Sequence, residues 1–406
     1  MRTITLGLLG LGTVGSGVVK LLQTQQAKLE QTADVHFHLK RVAVAHLAKH
    51  RNDPLPAGTV LTDQIDDVLN DQEIQVVIET MGTIDLAREV IKKAIYRGKS
   101  VITANKDLLA IDGPQLAELA RFRHVDFMYE ASVAGGIPIL RVLSNSLVTD
   151  QISQITGIIN GTANYILTAM STDGLSYQDA LAGAQAKGYA EPDPTNDVKG
   201  IDTANKLSIL SQFAFGRALD PHQLTITGID QVCKSQLVAA SQLGYTVKLL
   251  AIAHRKGDCI YTFVGPALLP HDAQLANIAG VQNAIEVNSS ALGTTVYTGP
   301  GAGAEPTANS ILSDLVAVAD HIVNFDCGKE FNGYHNQLAT QVINKLPQAY
   351  LVTAKDKPAS DLQWQQETSG NGWWAGISPT LSAQIADHLQ EQCTEPLLPL
   401  ANSWSL

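Results

Sequence analysis

Charged side chains are concentrated in residues 188–206, GYAEPDPTNDVKGIDTANK, although only 17% of the chain is charged. Pro192 and Pro194 exclude a helix from the first part of this segment and stiffen it at little entropic cost. Glu191 is therefore expected on a loop whose geometry is preset. The other charged members, Asp193, Asp197 and Lys199, are interpreted as structural: caps, a salt bridge or a solvated loop.

A helix is predicted to begin near Gly200, which places Asp202 and Lys206 one turn apart on the same face. Lys206 lies at the margin of the apolar stripe of this helix, so we expect its amine to be withdrawn from bulk water. An amine that is desolvated beside a carboxylate can exchange a proton near neutral pH. The alternative is an ordinary ion pair on a helix surface, which contributes little.

A second isolated lysine, Lys106, follows directly on the strand-like run VITAN. Open α/β sheets bind their ligands at the carboxyl ends of parallel strands, so this position favours a functional lysine. The alternative is a surface lysine at a helix N-terminus.

The elements that must position these lysines alternate between strand and helix over about the first 130 residues. Apolar runs such as TITLGLLG, HFHLKRVAVAH, IQVVIET and KSVITAN are separated by helical patterns. Continuous apolar strands joined by helices predict a parallel sheet covered on both faces, and right-handed crossovers make it a doubly wound Rossmann domain. From about Ser144 the pattern changes to a mixed α+β domain with strand-like runs such as TVKLLAIAH and CIYTFVG.

The predicted domain organisation of this α/β chain has three parts. Residues 1–130 form the dinucleotide-binding domain, to which residues 305–345 are expected to return. Residues 131–304 form the substrate-binding, catalytic and dimerisation domain. Residues 346–406 form a short C-terminal segment.

A glycine loop lies between the first strand and the first helix, where Gly10, Gly12 and Gly15 have the spacing Gly-x-Gly-x-x-Gly. The first glycine permits a tight turn, the second lets a pyrophosphate approach the backbone, and the third allows close packing of helix on strand. Thr13 and Val14 begin the helix whose N-terminus would attract the phosphates. The loop predicts a dinucleotide cofactor, against the alternative of a glycine-rich turn without a ligand.

The end of the second strand bears on the choice between NADP and NAD. It carries no Asp or Glu for a free ribose hydroxyl, and Lys49, His50 and Arg51 follow, so a 2′-phosphate would meet positive charge. NADP is therefore favoured, although a solvated basic loop explains the trio equally well. Thr80 and Thr103, near the ends of two later strands, are further predicted cofactor contacts.

Composition and charge exclude several classes of partner. With a net charge of −11 and no basic run interleaved with aromatics, the chain is not expected to bind nucleic acid or an anionic membrane. Its 4 cysteines are far apart and are interpreted as reduced thiols. No signal peptide or segment of transmembrane length is found, so we expect a cytoplasmic protein that acts on small molecules.

Six motifs occur in an order that resembles homoserine dehydrogenases over about residues 3–345: GLLGLGTVG, TANK, YEASVAGGIPIL, GIINGTANYILT, AKGYAEPDPTNDVKGIDTANK and GPGAGAEPTANSILSDL. The resemblance implies NAD(P)-dependent interconversion of L-homoserine and L-aspartate 4-semialdehyde, on the route to threonine and methionine. It also implies a homodimer, or a dimer of dimers. Two alternatives remain: another small-aldehyde or hydroxy-acid dehydrogenase of this architecture, and a non-catalytic amino-acid sensor.

The same resemblance assigns roles to the charged residues. Lys206 would transfer the proton, and Asp202 would lie beside the reacting oxygen and hold Lys206. Glu191 would bind the amino group of the substrate, while Lys106 would contact substrate or cofactor. Gly188 is predicted to line the substrate site.

Two turns have both a structural and a family interpretation. In NGT, residues 160–162, the simplest prediction is a turn in which Thr162 caps the next helix, and the family uses this turn to line the substrate pocket. In the later glycine turn, Gly301 and Gly303 would pass close to the nicotinamide half of the cofactor, or merely precede a helix.

The segment EASVAGGIPIL would be sufficiently explained as a strand-to-helix turn. In some family members it holds a monovalent cation such as sodium. The matching ligands are the Glu130 carboxylate and the main-chain oxygens of Val133, Gly135 and Ile137, a donor set that suits a hard cation.

The sequence departs from the family in three places. No arginine lies near Ala45 or His46, a second glycine is missing after Gly82, and the C-terminal run AYLVTAKDKPAS has Ala359 where an ACT-type regulatory module has a turn glycine. The C-terminal segment is therefore predicted to be ACT-like but truncated, without assumed feedback inhibition by threonine.

Overall fold

The computed structural model describes residues 2–343, 346–358, 360, 362–370, 372–393 and 395–401. Its contacts divide the chain into two units. Unit 1 comprises Met1–Thr149, Gln212–Ala218 and Pro300–His335, and unit 2 comprises Asp150–Ser211, Leu219–Gly299 and Asn336–Leu406. Ala359, which the sequence analysis singled out, lies outside the described residues.

The strands, in chain order, are β1 (Arg2–Leu9), β2 (Val35–Ala43), β3 (Val60–Thr62), β4 (Val76–Glu79), β5 (Ser100–Thr103), β6 (Phe127–Met128), β7 (Ile152–Ile158), β8 (Tyr245–Lys256), β9 (Cys259–Pro270), β10 (Gln282–Ser289), β11 (Gly293–Pro300), β12 (Ala339–Val342), β13 (Tyr350–Ala354), β14 (Gln366–Gly370), β15 (Trp373–Ile377) and β16 (Leu398–Pro399). The helices are α1 (Thr13–Thr24), α2 (Gln26–Ala33), α3 (Leu47–His50), α4 (Ile65–Leu69), α5 (Ile84–Tyr96), α6 (Lys106–Phe122), α7 (Ile139–Arg141), α8 (Gly161–Thr172), α9 (Tyr177–Ala186), α10 (Thr195–Val198), α11 (Ile201–Phe215), α12 (Lys234–Gln242), α13 (Ala304–Asn324) and α14 (Ala383–Glu391).

Unit 1 contains a six-stranded parallel sheet in the order β3-β2-β1-β4-β5-β6. This is the strand order of a dinucleotide-binding sheet, with its switch point between β1 and β4. Strands β4 and β5 are buried along their whole length, which explains their continuous apolar sequence. The predicted doubly wound fold is confirmed.

Unit 2 contains a second sheet in the order β11-β10-β7-β8-β9-β12, antiparallel in the pairs of β7 with β8 and β10 and of β8 with β9, and parallel where β12 joins β9. Helices α8 and α12 pack on it through a core that includes Ile166, Leu237 and Leu249. The mixed character predicted for this half of the chain is confirmed.

The C-terminal segment forms a four-stranded antiparallel sheet, β14-β15-β13-β16, with α14. Leu351, Ile377 and Leu398 from this sheet share one core with α8 and α12, so the segment is built into unit 2. The domain bounds drawn from the sequence remain a prediction, as does the ACT-like character of the segment.

None of the helices in the described ranges has the length and apolarity that a membrane crossing requires.

Candidate active site and cofactor cradle

Lys206 and Asp202 form a buried pair in the first two turns of α11. The Lys206 Nζ lies 2.8 Å from Asp202 Oδ2 and donates a second hydrogen bond to the backbone oxygen of Ile159, at 2.7 Å. Lys206 is only 9% exposed and Asp202 5%. The two side chains meet as their spacing predicts, and burial excludes the surface ion pair that was the alternative.

Asn160, immediately before α8, organises this pair, and the sequence analysis missed its role. Its Nδ2 donates to Asp202 Oδ2 at 2.8 Å and to Asp197 Oδ1 at 2.7 Å, and its Oδ1 accepts from the backbone N–H of Ala163 at 2.8 Å. Asn160 is thus the N-cap of α8 and is itself buried. The residue type could have indicated the capping role, because asparagine is among the best N-cap residues.

The prediction that Thr162 caps α8 is wrong. The helix begins at Gly161, so Thr162 lies inside its first turn, and Asn160 already occupies the capping position. The Thr162 hydroxyl instead donates to the backbone oxygen of Tyr189 at 2.6 Å. It therefore ties α8 to the loop that carries Gly188 and Glu191.

That loop is held by its own backbone and by neighbouring side chains. Gly188 adopts φ +72°, a left-handed conformation that ends α9, and its N–H donates to Gln185 O at 3.0 Å. The Gln185 amide donates to the backbone oxygens of Glu191 and Pro192, both at 3.3 Å. Glu191 and Gly188 are exposed.

The remaining charges of the segment have structural partners. Asp193 accepts from the backbone N–H and the hydroxyl of Thr195, at 3.1 and 2.6 Å, and Lys199 pairs with Asp230 at 2.7 Å. Asp197 accepts from Asn160. Side-chain hydrogen bonds and a salt bridge thus explain these three residues, none of which is a helix cap.

The glycine loop of unit 1 has the geometry that its spacing predicts. Gly10 adopts φ +94°, and a Cβ on Gly15 would lie 2.2 Å from Gly10 O. A Cβ on Gly12 would meet nothing within 4 Å, so the space beside it is open. No acidic residue lies in the first turn of α1, which begins at Thr13 and continues through Val14. The backbone N–H groups at the start of α1 and the open space beside Gly12 fit an anionic pyrophosphate.

Thr80 and Thr103 lie at the carboxyl ends of β4 and β5, at the same edge of the sheet as the glycine loop. The Thr80 hydroxyl donates to the oxygens of Leu9 and Gly10, at 3.1 and 3.0 Å. Thr103 is fully buried, and its hydroxyl donates to Glu79 Oε2 at 2.6 Å. Burial raises the pKa of Glu79, another residue that the sequence analysis missed. Its other oxygen accepts from the Met81 N–H at 2.6 Å, so Glu79 fixes both strand ends.

Lys106 is the first residue of α6, and its Nζ lies 3.8 Å from Asp107 Oδ2. Lys49 is exposed on the short helix α3, after the end of β2. Both lysines belong to unit 1, whereas Lys206, Asp202 and Glu191 belong to unit 2.

The later glycine turn packs on the helix of the glycine loop, within unit 1. A Cβ on Gly17 of α1 would lie 2.4 Å from Ala304 O, and a Cβ on Gly135 would lie 2.6 Å from Gly301 O. Gly303 adopts φ +124° and is the N-cap of α13. The residue after Gly303 thus packs on α1, the helix that follows the glycine loop, whereas Gly301 packs on Gly135.

The predicted cation ligand Glu130 lies in a buried cluster of unit 1. Its oxygens accept from the backbone N–H groups of Leu140 and Arg141, at 2.9 and 2.7 Å, and the Arg141 guanidinium pairs with Asp314. Burial and the neighbouring Asp314 raise the pKa of Glu130 to about 7, and burial raises the pKa of Asp314 to about 6. A cation would offset this excess of buried negative charge.

The backbone oxygens predicted as cation ligands are near Glu130 in sequence and are partly engaged. Gly135 O accepts from the Ser310 hydroxyl at 2.7 Å, and Ile137 O accepts from Ile139 N–H at 2.8 Å. Val133 is buried. Each carbonyl oxygen retains a second lone pair, so the donor set fits a hard cation.

Comparison with known proteins covers both halves of the chain. The sequence model described as "Homoserine dehydrogenase, NAD binding domain" matches residues 10–130, and the one described as "Homoserine dehydrogenase" matches residues 138–316. The homoserine dehydrogenase of Lactococcus lactis is 42% identical over 335 residues, which are 82% of this chain and 78% of that protein. That of Bacillus subtilis is 43% identical over 333 residues, 82% of this chain and 77% of that protein.

Solved structures match over nearly the whole chain. A homoserine dehydrogenase from Thiobacillus denitrificans superposes with a TM-score of 0.90 at 33% identity, covering 98% of each chain. The Staphylococcus aureus homoserine dehydrogenase at pH 7.5 gives a TM-score of 0.79 at 28% identity, covering 99% of this chain and 100% of that chain. These findings identify an NAD(P)-dependent oxidoreductase with a nicotinamide cofactor. As its motifs predicted, the chain belongs to the homoserine dehydrogenase family.

Proposed function

We propose that Lys206 is the proton donor and acceptor in the interconversion of L-homoserine and L-aspartate 4-semialdehyde. The observation that carries the proposal is the buried Lys206 amine, held between Asp202 Oδ2 and Ile159 O at 2.8 and 2.7 Å. Both partners accept hydrogen bonds and donate none. They therefore fix two of the three directions in which the amine can form hydrogen bonds.

The third hydrogen-bonding direction of the amine explains how Lys206 can serve both the reduction and the oxidation. As an ammonium, Lys206 has one N–H left for the substrate oxygen, which it stabilises and protonates as negative charge grows there. As a neutral amine it keeps two N–H bonds to Asp202 and Ile159, and its lone pair takes the third direction and removes the hydroxyl proton. The nicotinamide, when bound, accepts or returns the hydride.

The substrate's ammonium has a matching group in unit 2. We assign the exposed carboxylate of Glu191 to the ammonium of the substrate, with Gly188 and Thr162 shaping the loop beside it. Asp202 orients Lys206 and lies beside the reacting oxygen.

In unit 1, residues of the glycine loop, Gly10 to Gly15, would hold the pyrophosphate of the cofactor. Thr80, Gly301 and Gly303 would border it, and Lys106 would contact cofactor or substrate. Thr103, predicted as a further contact, is fully buried and would act only by holding Glu79. Lys49 would pair with a 2′-phosphate, which favours NADP over NAD.

Glu130, with the backbone oxygens of Val133, Gly135 and Ile137, would hold a sodium ion. The family suggests a homodimer or a dimer of dimers, which sedimentation measures.

The test is turnover followed by nicotinamide absorbance, with homoserine, aspartate semialdehyde and hydroxy-acid controls. Lys206→Met should lower kcat by about 10²- to 10⁴-fold or more, without loss of cofactor affinity. Lys199→Met is the matched control, because Lys199 is an exposed partner of Asp230 in the same segment.

Near-normal turnover in Lys206→Met would remove that residue from the mechanism. Turnover only on a hydroxy-acid control would support a different dehydrogenase, and no turnover on any substrate would support a sensor.

A further inference from the structure

Three side chains stack beside the loop that carries Glu191. The rings of Tyr165 and Tyr189 lie edge to face with centroids 5.2 Å apart, and the Lys187 Nζ lies 5.0 Å from the centroid of Tyr165. Tyr165 is in α8, one turn after Thr162, whereas Lys187 and Tyr189 flank Gly188. Tyr165 thus contacts the loop on both sides of its left-handed glycine.

Tyr165 is the anchored member of this group. It is half-buried and packs on the core shared by α8, α9 and α12, and a Cβ on Gly183 of α9 would lie 3.4 Å from its hydroxyl oxygen. Tyr189 is 43% exposed. The Tyr165 side chain raises the pKa of the Lys187 ammonium, which also lies over its ring.

Both the backbone and the side chain of Tyr189 in this loop therefore contact α8. Thr162 holds the backbone of Tyr189, through the bond to its oxygen at 2.6 Å, and Tyr165 holds the side chain of the same residue. Between Tyr189 and Glu191 there is one residue, Ala190, which is buried. A change in the position of Tyr189 is consequently transmitted to Glu191 over two peptide units.

We propose that Tyr165 is a positioning residue for the amino-group end of the substrate site, acting through Tyr189 and Lys187 on the loop that carries Glu191. The inference rests on the proposed function, in which Glu191 binds the substrate ammonium. Tyr165 contributes to discrimination between an amino-acid substrate and the same alcohol without an amino group. The chemistry at Lys206 does not depend on it.

The test compares Tyr165→Leu with Tyr165→Phe, which keeps the ring, and with Tyr177→Leu as the matched control. Tyr177 begins α9 and packs on the same core, so its loss should affect stability but not the loop. Tyr165→Leu should raise KM for homoserine about five- to fiftyfold, the size expected for an aromatic pair together with a cation–π contact. Its kcat should stay within about threefold, and cofactor affinity should be unchanged.

A deaminated substrate separates positioning from general damage. With 4-hydroxybutanoate, Tyr165→Leu should leave kcat/KM at the wild-type value, so the preference for homoserine falls by the same factor by which its KM rises. An equal loss on both substrates, or an unchanged KM for homoserine, would overturn the proposal.

Failure of the proposed function itself has a different signature. If Glu191→Gln leaves KM for homoserine unchanged, the role of Glu191 is refuted. Amide hydrogen exchange over residues 187–191 then decides whether Tyr165 holds the loop. Faster exchange in Tyr165→Leu than in Tyr177→Leu supports the contact with the loop, and equal exchange in the two variants overturns it.

Discussion

Replacing Asn160 should damage stability and catalysis together, because its buried side chain makes three hydrogen bonds. Asn160→Ala removes the cap of α8, which contributes about 1 kcal/mol. It also removes two hydrogen bonds to the carboxylates of Asp197 and Asp202, at 2.7 and 2.8 Å, each of which contributes about 1.5–3 kcal/mol. We expect the free energy of unfolding to fall by about 3–5 kcal/mol, since some of the loss is recovered by hydration.

Asn160→Asp isolates the amide, because aspartate caps helices as well as asparagine does and has nearly the same volume. A third carboxyl group then faces Asp197 and Asp202 where the amide donated a hydrogen bond to each, and this unfavourable contact should displace Asp202 from Lys206. Turnover of homoserine should therefore fall although the helix cap is kept.

The assays are chemical denaturation and kcat for homoserine, with Ser176→Ala as the control for loss of a cap. Ser176 caps α9 in the same unit by accepting from Asp179 N–H at 3.1 Å, and it is exposed. Its variant should lose stability without a change in kcat. If Asn160→Asp has wild-type kcat, the Asn160 amide has no part in holding the Lys206–Asp202 pair.

Three other changes test separate parts of the structure. Gly12→Ala should keep the wild-type melting temperature and weaken cofactor binding, whereas Gly15→Ala should destabilise the fold, because its Cβ would lie 2.2 Å from a backbone oxygen. Equal melting temperatures in the two variants would contradict this. Burial lowers the pKa of Lys248 from 10.5 to about 8, so the unfolded state binds more protons between these values and stability should rise with pH there. Relative to Lys248→Met, the wild type should gain up to about 3 kcal/mol in denaturation experiments from pH 8 to 10.5, and parallel curves would refute the burial argument. Lys49→Glu should raise KM for NADPH about tenfold and leave KM for NADH unchanged, with Lys28→Glu, another exposed lysine, as control.

The elements that local sequence determines could be predicted. The glycine spacing gave the turn, the open space and the tight packing at Gly10, Gly12 and Gly15, because each depends on a backbone conformation or a missing Cβ. The contact between Asp202 and Lys206 followed from helix geometry alone. The parallel sheet followed from its continuous apolar strands.

Contacts between residues distant in sequence were not predictable in this way. Asn160 reaches Asp202 across 42 positions, and Glu79 reaches Thr103 across 24 positions, so no spacing rule connects them. Thr162 was assigned to the cap because threonine caps helices, but the helix already begins at Gly161, where Asn160 caps it by accepting from Ala163 N–H. Tyr165 gave no signal, since a tyrosine in an apolar helix is equally consistent with core packing.

The N-terminal part of α8 is where these long-range contacts converge. Asn160 holds Asp202 of the pair that we propose transfers the proton, and Thr162 and Tyr165 contact the loop that carries Glu191. On the same helix Asn164 donates to the backbone oxygens of Ile278 and Gln282, at 3.2 and 3.1 Å. A rotation or shift of this one helix would therefore move the proposed proton-transfer group and the proposed ammonium-binding loop together. Because both are fixed to a common rigid element, the distance between them is set by the helix and not by either loop, which is what simultaneous recognition of an ammonium and a reacting oxygen on one small substrate requires.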